Sequence, residues 1–232
     1  MKKCYFWLKA LTLEVLIFVG SWFLPFFKKV NLKWVNPDKQ KPILLIHGYL
    51  HNGFVWFYHG RKLKNKGFGP IYTISIKNPF SSIEQISLEI KQKVKSIQEE
   101  TGISDLILIG HSMGGLVASY FALNIAEKNT ISDVITIASP LEGTALAVLG
   151  FGMSAKEMRR NSNFIKDLDK KLLLEENINF YHIASLTDQL IRPYTSALLG
   201  NKEDRQYILN GLGHAAMLYS KKVNDKISSW LS

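Results

Sequence analysis

Ser112, Asp188 and His214 are residue types that together can carry acyl transfer through a covalent intermediate. A serine hydroxyl is a poor nucleophile at neutral pH. It needs an imidazole to take its proton and a carboxylate to fix the tautomer of that imidazole and stabilise its charged form. Ser112 stands in Gly110-His111-Ser112-Met113-Gly114-Gly115, between the apolar run Leu106 to Ile109 and the helix-forming stretch Leu116 to Ala126. Such a strand, sharp turn and helix can hold a serine in a strained backbone that only small neighbours permit. The hydroxyl is then exposed beside a helix N-terminus. Asp188 follows the strand-like Tyr181 to Ala184, and His214 lies in the loop Gly211-Leu212-Gly213-His214 before a C-terminal stretch of helical composition. A histidine base implies that activity is lost in acid.

The remaining histidines have plainer readings. His111 points away from its neighbouring nucleophile and is expected to pack or hydrogen-bond. His47, His51, His59 and His182 form no compact ligand motif such as H-E-x-x-H, so they are expected at the pocket or the surface, and the sequence assigns no metal and no other cofactor. Tyr49, Trp56 and Phe57 suit the core as well as they suit substrate contact.

The elements that must position these residues alternate along the chain. Ile43 to Ile46, Ile71 to Ile76, Leu106 to Ile109, Val134 to Ala138 and Ile178 to Ala184 are short, apolar and often β-branched, as strands buried on both faces are. Val30 to Val35 reads as an edge strand, ended by Asn36-Pro37-Asp38. Between the second and third buried runs, Ile83, Ile86, Ile90, Val94 and Ile97 recur at helical steps, with Ser81 and Glu84 as a capping box and Gly102 as the stop. This alternation predicts an α/β fold with a doubly wound, mostly parallel sheet. Ligands then bind beyond the carboxyl ends of the strands.

Composition is compatible with that fold. The chain has 232 residues, 47% hydrophobic and 21% charged, which excludes disordered, collagen-like and low-complexity classes. One cysteine, Cys4, excludes an internal disulfide and a cysteine-ligated zinc cluster. Lys and Arg number 29 against 19 Asp and Glu, a net charge of +10. Half of that excess lies in residues 1–33, where six lysines face Glu14 alone. No aromatic interleaving or recognisable module points to nucleic acid.

Residues 10–27, ALTLEVLIFVGSWFLPFF, lie between Lys2, Lys3, Lys9 and Lys28, Lys29. Their length sits at the lower limit of a membrane-spanning helix, with Trp22 and Trp34 near one end and Tyr5 and Trp7 near the other. We therefore expect residues 1–29 to be a membrane anchor or a signal segment, forming an N-terminal hydrophobic helix, with residues 30–232 as the catalytic domain. The balance of charges favours a membrane-associated protein with the catalytic domain outside the cytoplasm. Oligomeric state is not legible.

The chain resembles the α/β-hydrolase family, and within it the small serine lipases and esterases. The resemblance covers roughly residues 30 to 230 and rests on GHSMGG, LLIHGYL at 44–50, ASPLEGT at 138–144, SLTDQLIRP at 185–193 and GLGHAAML at 211–218. It implies the α/β-hydrolase fold with Ser112 as nucleophile, Asp188 as the acid in preference to Asp133 or Asp204, and His214 as base. It also implies an oxyanion hole made by the backbone N–H groups of Tyr49 and Met113. The side chain of Tyr49 would then shape the acyl pocket, and residues 141–176 would form a cap or lid. The implied activity is hydrolysis of carboxylic esters, with lipid acyl esters as substrates. An acyltransferase using the same acyl-enzyme is the alternative, thioesterase and amidase chemistry stay open, and a catalytically silent, membrane-tethered binding protein is the rival from another class.

Overall fold

The computed structural model of the protein describes residues 30–35, 40–199 and 205–232. Seven strands form one sheet: β1 (Lys33–Trp34), β2 (Ile43–Ile46), β3 (Ile71–Ile74), β4 (Leu106–His111), β5 (Ile131–Ile137), β6 (Asn179–Ser185) and β7 (Gln206–Leu209). Their spatial order is β1-β3-β2-β4-β5-β6-β7. β1 runs antiparallel to β3 and every other pairing is parallel. The helices are α1 (Phe57–Asn65), α2 (Ile83–Thr101), α3 (Met113–Asn124), α4 (Gly152–Glu157), α5 (Asn163–Leu174) and α6 (Lys221–Leu231).

Side-chain alternation along the strands divides the core in two. Leu44 and Ile46 of β2 pack with α2, α3 and α5 on one face, where Ile86, Ile90, Leu116, Val117 and Leu168 meet. Ile43 and Leu45 pack on the other face with Leu63 of α1 and Val223 and Ile227 of α6. All four β2 side chains are therefore buried, each Leu or Ile contributing about 1.5–3 kcal/mol by leaving water. The doubly wound sheet expected from the sequence is the one observed.

Several local details differ from the expectation. α2 is capped by Ser82, whose hydroxyl accepts from Gln85 N–H, one residue later than Ser81; Gly102 ends it in the left-handed conformation at φ 70. The N-terminal edge strand, expected over residues 30–35, is regular over Lys33 and Trp34 only, which pair with Tyr72 and Ile71. β7 follows residues 200–204, and its exposed Ile208 hides the periodicity of a buried strand.

The expected cap, residues 141–176, divides into two parts. α5 buries Ile165, Leu168 and Leu172 against the sheet layer, so it is the crossover helix between β5 and β6. The 3-10 turn Ala145–Leu149 and α4 instead stand beyond the strand ends. Among the described residues no helix is long and apolar enough to cross a membrane. Residues 10–27, and the competing acid Asp204, lie outside the described residues.

Candidate active site

The carboxyl ends of β2, β4 and β6 and the loop after β7 deliver the site. β4 leads into the turn at Ser112, which is followed at once by α3. Ser112 has φ 54 and ψ −126, a conformation costing about 1–3 kcal/mol for a residue with a side chain. Ser112 N–H donates to Ile137 O at 2.9 Å, which ties the strained turn to β5. Its neighbours must be glycine for steric reasons. A Cβ on Gly110 would lie 2.4 Å from the Gly114 backbone, and one on Gly114 would lie 2.2 Å from Ile46 O.

The other two residues meet. His214 Nδ1 lies 2.9 Å from Asp188 Oδ2, and both side chains are almost wholly buried. The second carboxylate oxygen of Asp188 accepts from Leu190 N–H at 2.7 Å and Ile191 N–H at 2.9 Å. The carboxylate is thus fixed in plane and orients the imidazole with Nδ1 bearing a proton. Asp133, the other described acid considered, accepts from Asn179 Nδ2 on the amino side of the sheet, away from this pair.

Hydroxyls lock the Asp188 loop to the His214 loop. Ser185 Oγ donates to Leu212 O at 2.6 Å, and Thr187 Oγ1 donates to the same carbonyl at 2.9 Å. Thr187 Oγ1 also accepts from Gly211 N–H at 3.0 Å. SLTDQ and GLGH therefore work as one unit, a pairing that no local pattern announces.

The loop after β2 abuts the serine. A Cβ on Gly48 would lie 2.9 Å from Ser112 Cβ, so the Gly48-Tyr49 backbone passes directly over the turn. Met113 N–H is the first amide of α3, one of the groups a helix leaves without an internal partner. The Tyr49 ring meets Phe80 edge-on at 5.6 Å. Its hydroxyl donates to Phe151 O at 2.7 Å and accepts from Phe151 N–H at 3.1 Å. Tyr49 thereby joins the loop over Ser112 to the segment ahead of α4. Trp56 is buried in the core, whereas Phe57 is exposed and stacks on Phe54 at 5.7 Å.

His47, His59 and His182, expected at the pocket or the surface, are all buried, and His47, His59 and His111 brace the loops of this site. His47 Nδ1–H donates to Gly48 O at 2.8 Å while Nε2 accepts from Ile76 N–H at 2.9 Å, fixing the turn over Ser112. His59 Nε2–H donates to Met217 O at 3.0 Å and Nδ1 accepts from Asn224 Nδ2 at 3.1 Å, fixing the turn after His214. Both bonding patterns require the neutral ring, and burial lowers each pKa to about 4. His182 pairs with Thr136 Oγ1 at 2.8 Å, and burial lowers its pKa to about 3. His111 Nε2–H donates to His214 O at 3.1 Å, and burial, then the neighbouring His214 and His51, hold its pKa well below 6.5. A signal did exist in each case, since a histidine inside an apolar strand end or helix face must find a specific acceptor.

Comparison with known proteins agrees with this architecture. The mature lipase BlEst2 of Bacillus licheniformis has a solved structure that superposes with a TM-score of 0.70 at 13% identity, covering 88% of this chain and 97% of that one. This likeness establishes the α/β-hydrolase fold. Ethanol acetyltransferase 1 of Wickerhamomyces ciferrii is 23% identical over 229 residues, 87% of this chain and 58% of its own length. The chain thus spans little more than half of that curated relative. The pimeloyl-[acyl-carrier protein] methyl ester esterase of Aliivibrio fischeri is 29% identical over 109 residues, 47% of this chain and 40% of its own. The family model of the PGAP1-like alpha/beta domain matches residues 73–202, more than half of the chain and inclusive of Ser112 and Asp188. The protein belongs to the PGAP1-like alpha/beta domain family.

Proposed function

We propose that this protein is a serine hydrolase that cleaves carboxylic esters, with Ser112 as nucleophile, His214 as base and Asp188 as the acid that orients it. One observation carries the reading: a buried Asp188–His214 pair held 2.9 Å apart in the same site as a strained serine at a helix N-terminus. His214 Nε2 takes the Ser112 proton as Oγ bonds to the ester carbonyl carbon. The carbonyl oxygen becomes negative and is met by the N–H groups of Tyr49 and Met113, each such donor being worth about 3–4 kcal/mol. Collapse breaks the bond to the alcohol, which leaves with the proton from His214. Water, deprotonated by the same imidazole, then releases the acid and restores Ser112.

Lipid acyl esters are the substrate class this reading favours. Its support is the apolar ring pair of Tyr49 and Phe80 on the loop that abuts Ser112, together with the hydrogen bond that ties Tyr49 to the segment ahead of α4, which we read as the cap. We take residues 10–27 as the part that brings the protein to a membrane, with the catalytic domain outside the cytoplasm; the support is their apolar run between lysines.

A second reading keeps the same acyl-enzyme and passes the acyl group to an alcohol. The likeness to an ethanol acetyltransferase across 87% of the chain favours keeping it. Hydrolysis of p-nitrophenyl esters from short to long chains, by wild type and Ser112→Ala with and without micelles, tests the proposal. Turnover lost in Ser112→Ala and rising with chain length or micelles supports the lipid esterase. Turnover confined to short chains restricts it to soluble esters. Added ethanol diverting product from acid to ethyl ester supports the transferase. Folded wild type no faster than Ser112→Ala, with or without ethanol, overturns both.

A further inference from the structure

β1, the one antiparallel strand among the described residues, fixes where Val30 lies. Because β1 runs opposite to β3, residues 30–32 ahead of it lie toward the carboxyl edge of the sheet. Thr73 N–H donates to Leu32 O at 2.9 Å, Ser75 N–H to Asn31 Oδ1 at 2.7 Å, and Ser75 Oγ to Val30 O at 3.0 Å. Val30 therefore stands level with the residue after β3, on the edge that carries the active site. It also touches the loop after β2, since a Cβ on Gly53 would lie 2.4 Å from Val30 O. Gly53 is four positions beyond Tyr49.

The same edge exposes a cluster of large apolar side chains. Leu149 is 73% exposed and Phe151 78% exposed, with Val148 and Met153 exposed beside them and Leu50, Phe54 and Phe80 exposed around the loops they touch. Phe151 is fixed in this place by Tyr49, and Met153 N–H by Phe80 O at 2.7 Å. A contiguous exposed apolar surface of this kind is a contact surface. The opposite edge also exposes Leu173, Leu174 and Val35, but charges stand among them: Lys170, Lys171 and Glu175 flank the leucines, Lys41 and Asp105 pair at 2.6 Å beside the starts of β2 and β4, and Lys128 is exposed ahead of β5.

We infer that the carboxyl edge of the sheet is a membrane-facing surface, with the tip Val148, Leu149 and Phe151 entering the interfacial layer of a bilayer and Ser112 opening onto it. The inference rests on the reading of residues 10–27 as membrane-associating. Those residues, with Lys28 and Lys29 immediately before Val30, join the domain at the edge that exposes the tip. Two weak anchors on one edge then act together, and the lysines favour anionic headgroups. Anchors on opposite edges would turn the site away from the lipid.

The test uses the full chain with Ser112→Ala, so that vesicle lipid is not consumed, and with Cys4→Ser, so that one introduced cysteine can carry an environment-sensitive nitrobenzoxadiazole label. Vesicles are phosphatidylcholine with one third phosphatidylglycerol. The label on Leu149→Cys is expected to shift to the blue and brighten severalfold when vesicles are added, while the label on Lys128→Cys stays unchanged. A protein that sediments with vesicles while the Leu149→Cys label stays aqueous overturns the inference, as do equal responses at both sites or no sedimentation. The double variant Val148→Ser, Leu149→Ser in the otherwise wild-type chain is expected to bind vesicles about ten- to a hundredfold more weakly, from the loss of two apolar side chains that the interfacial layer covers in part. Its circular dichroism spectrum should match that of wild type, which shows the variant to be folded. Unaltered vesicle binding by this variant overturns the inference whatever the esterase result, and absent esterase activity in wild type bears on catalysis alone.

Discussion

His111 and His214 are joined twice: Nε2–H of His111 donates to the main-chain carbonyl of His214 at 3.1 Å, and the two rings lie 4.6 Å apart. The residue next to Ser112, the proposed nucleophile, thus holds the loop that carries His214, the proposed base. Both ends of the proposed proton transfer are built into one frame.

Replacing His111 by Leu removes that donor and leaves the His214 carbonyl buried with one partner fewer, a cost of about 1–3 kcal/mol in stability. We expect kcat on a p-nitrophenyl ester to fall at least about tenfold, equivalent to about 1.4 kcal/mol in the barrier, with KM little changed. Steady-state kinetics on protein shown by circular dichroism to be folded checks this. An unchanged kcat would confine His111 to packing.

Asp188→Asn keeps the acceptor for Leu190 and Ile191 N–H but can present an amide NH₂ to His214 Nδ1. The imidazole must then offer Nδ1 as acceptor and carry its proton on Nε2, the nitrogen that should take the serine proton. A loss of about 10⁴ in kcat is expected with little change in folding. A loss under tenfold would remove Asp188 from its assigned role.

Thr187→Val preserves shape and deletes one hydroxyl. Leu212 O retains Ser185 Oγ, but Gly211 N–H loses its acceptor. The expected cost is about 1–3 kcal/mol in urea denaturation, with a fall in kcat smaller than for Asp188→Asn because the carboxylate itself remains.

Stability should drop in mild acid. His47 and His59 have pKa values near 4 in the fold and 6.5 otherwise, and His111 and His182 are lowered as well, all through burial. Below pH 6.5 the unfolded chain binds protons that the folded chain refuses, so unfolding is favoured as pH falls. Stability is full above about pH 6.5 and declines toward pH 4, each such histidine contributing a slope of up to about 1.4 kcal/mol per pH unit. Thermal melts at pH 7.5, 6, 5 and 4.5 should show a progressive fall in Tm. A flat profile would mean that these rings are charged in the fold.

The order of elements, the buried strands and the turn at Ser112 were legible because each is a local pattern: β-branched runs, three- and four-residue apolar steps, glycines flanking a serine. Boundaries shifted by a residue where two serines competed for one cap, as at Ser81 and Ser82. β7 was missed because Tyr207 and Ile208 are partly exposed on an edge strand, so alternation is weak there.

By itself, the sequence determined which residues could do the chemistry, since Ser112, Asp188 and His214 declare their types and their order along the chain. Tertiary structure decided what holds them. His47, His59 and His111 became neutral struts, Thr187 and Ser185 closed on Leu212, residues 141–176 split into a crossover helix and an exposed apolar tip, and Val30 came to lie on the active-site edge. The physical reason is that hydrogen bonds between residues far apart in sequence, and the burial that keeps a ring uncharged, exist only once the sheet has brought the strand ends together.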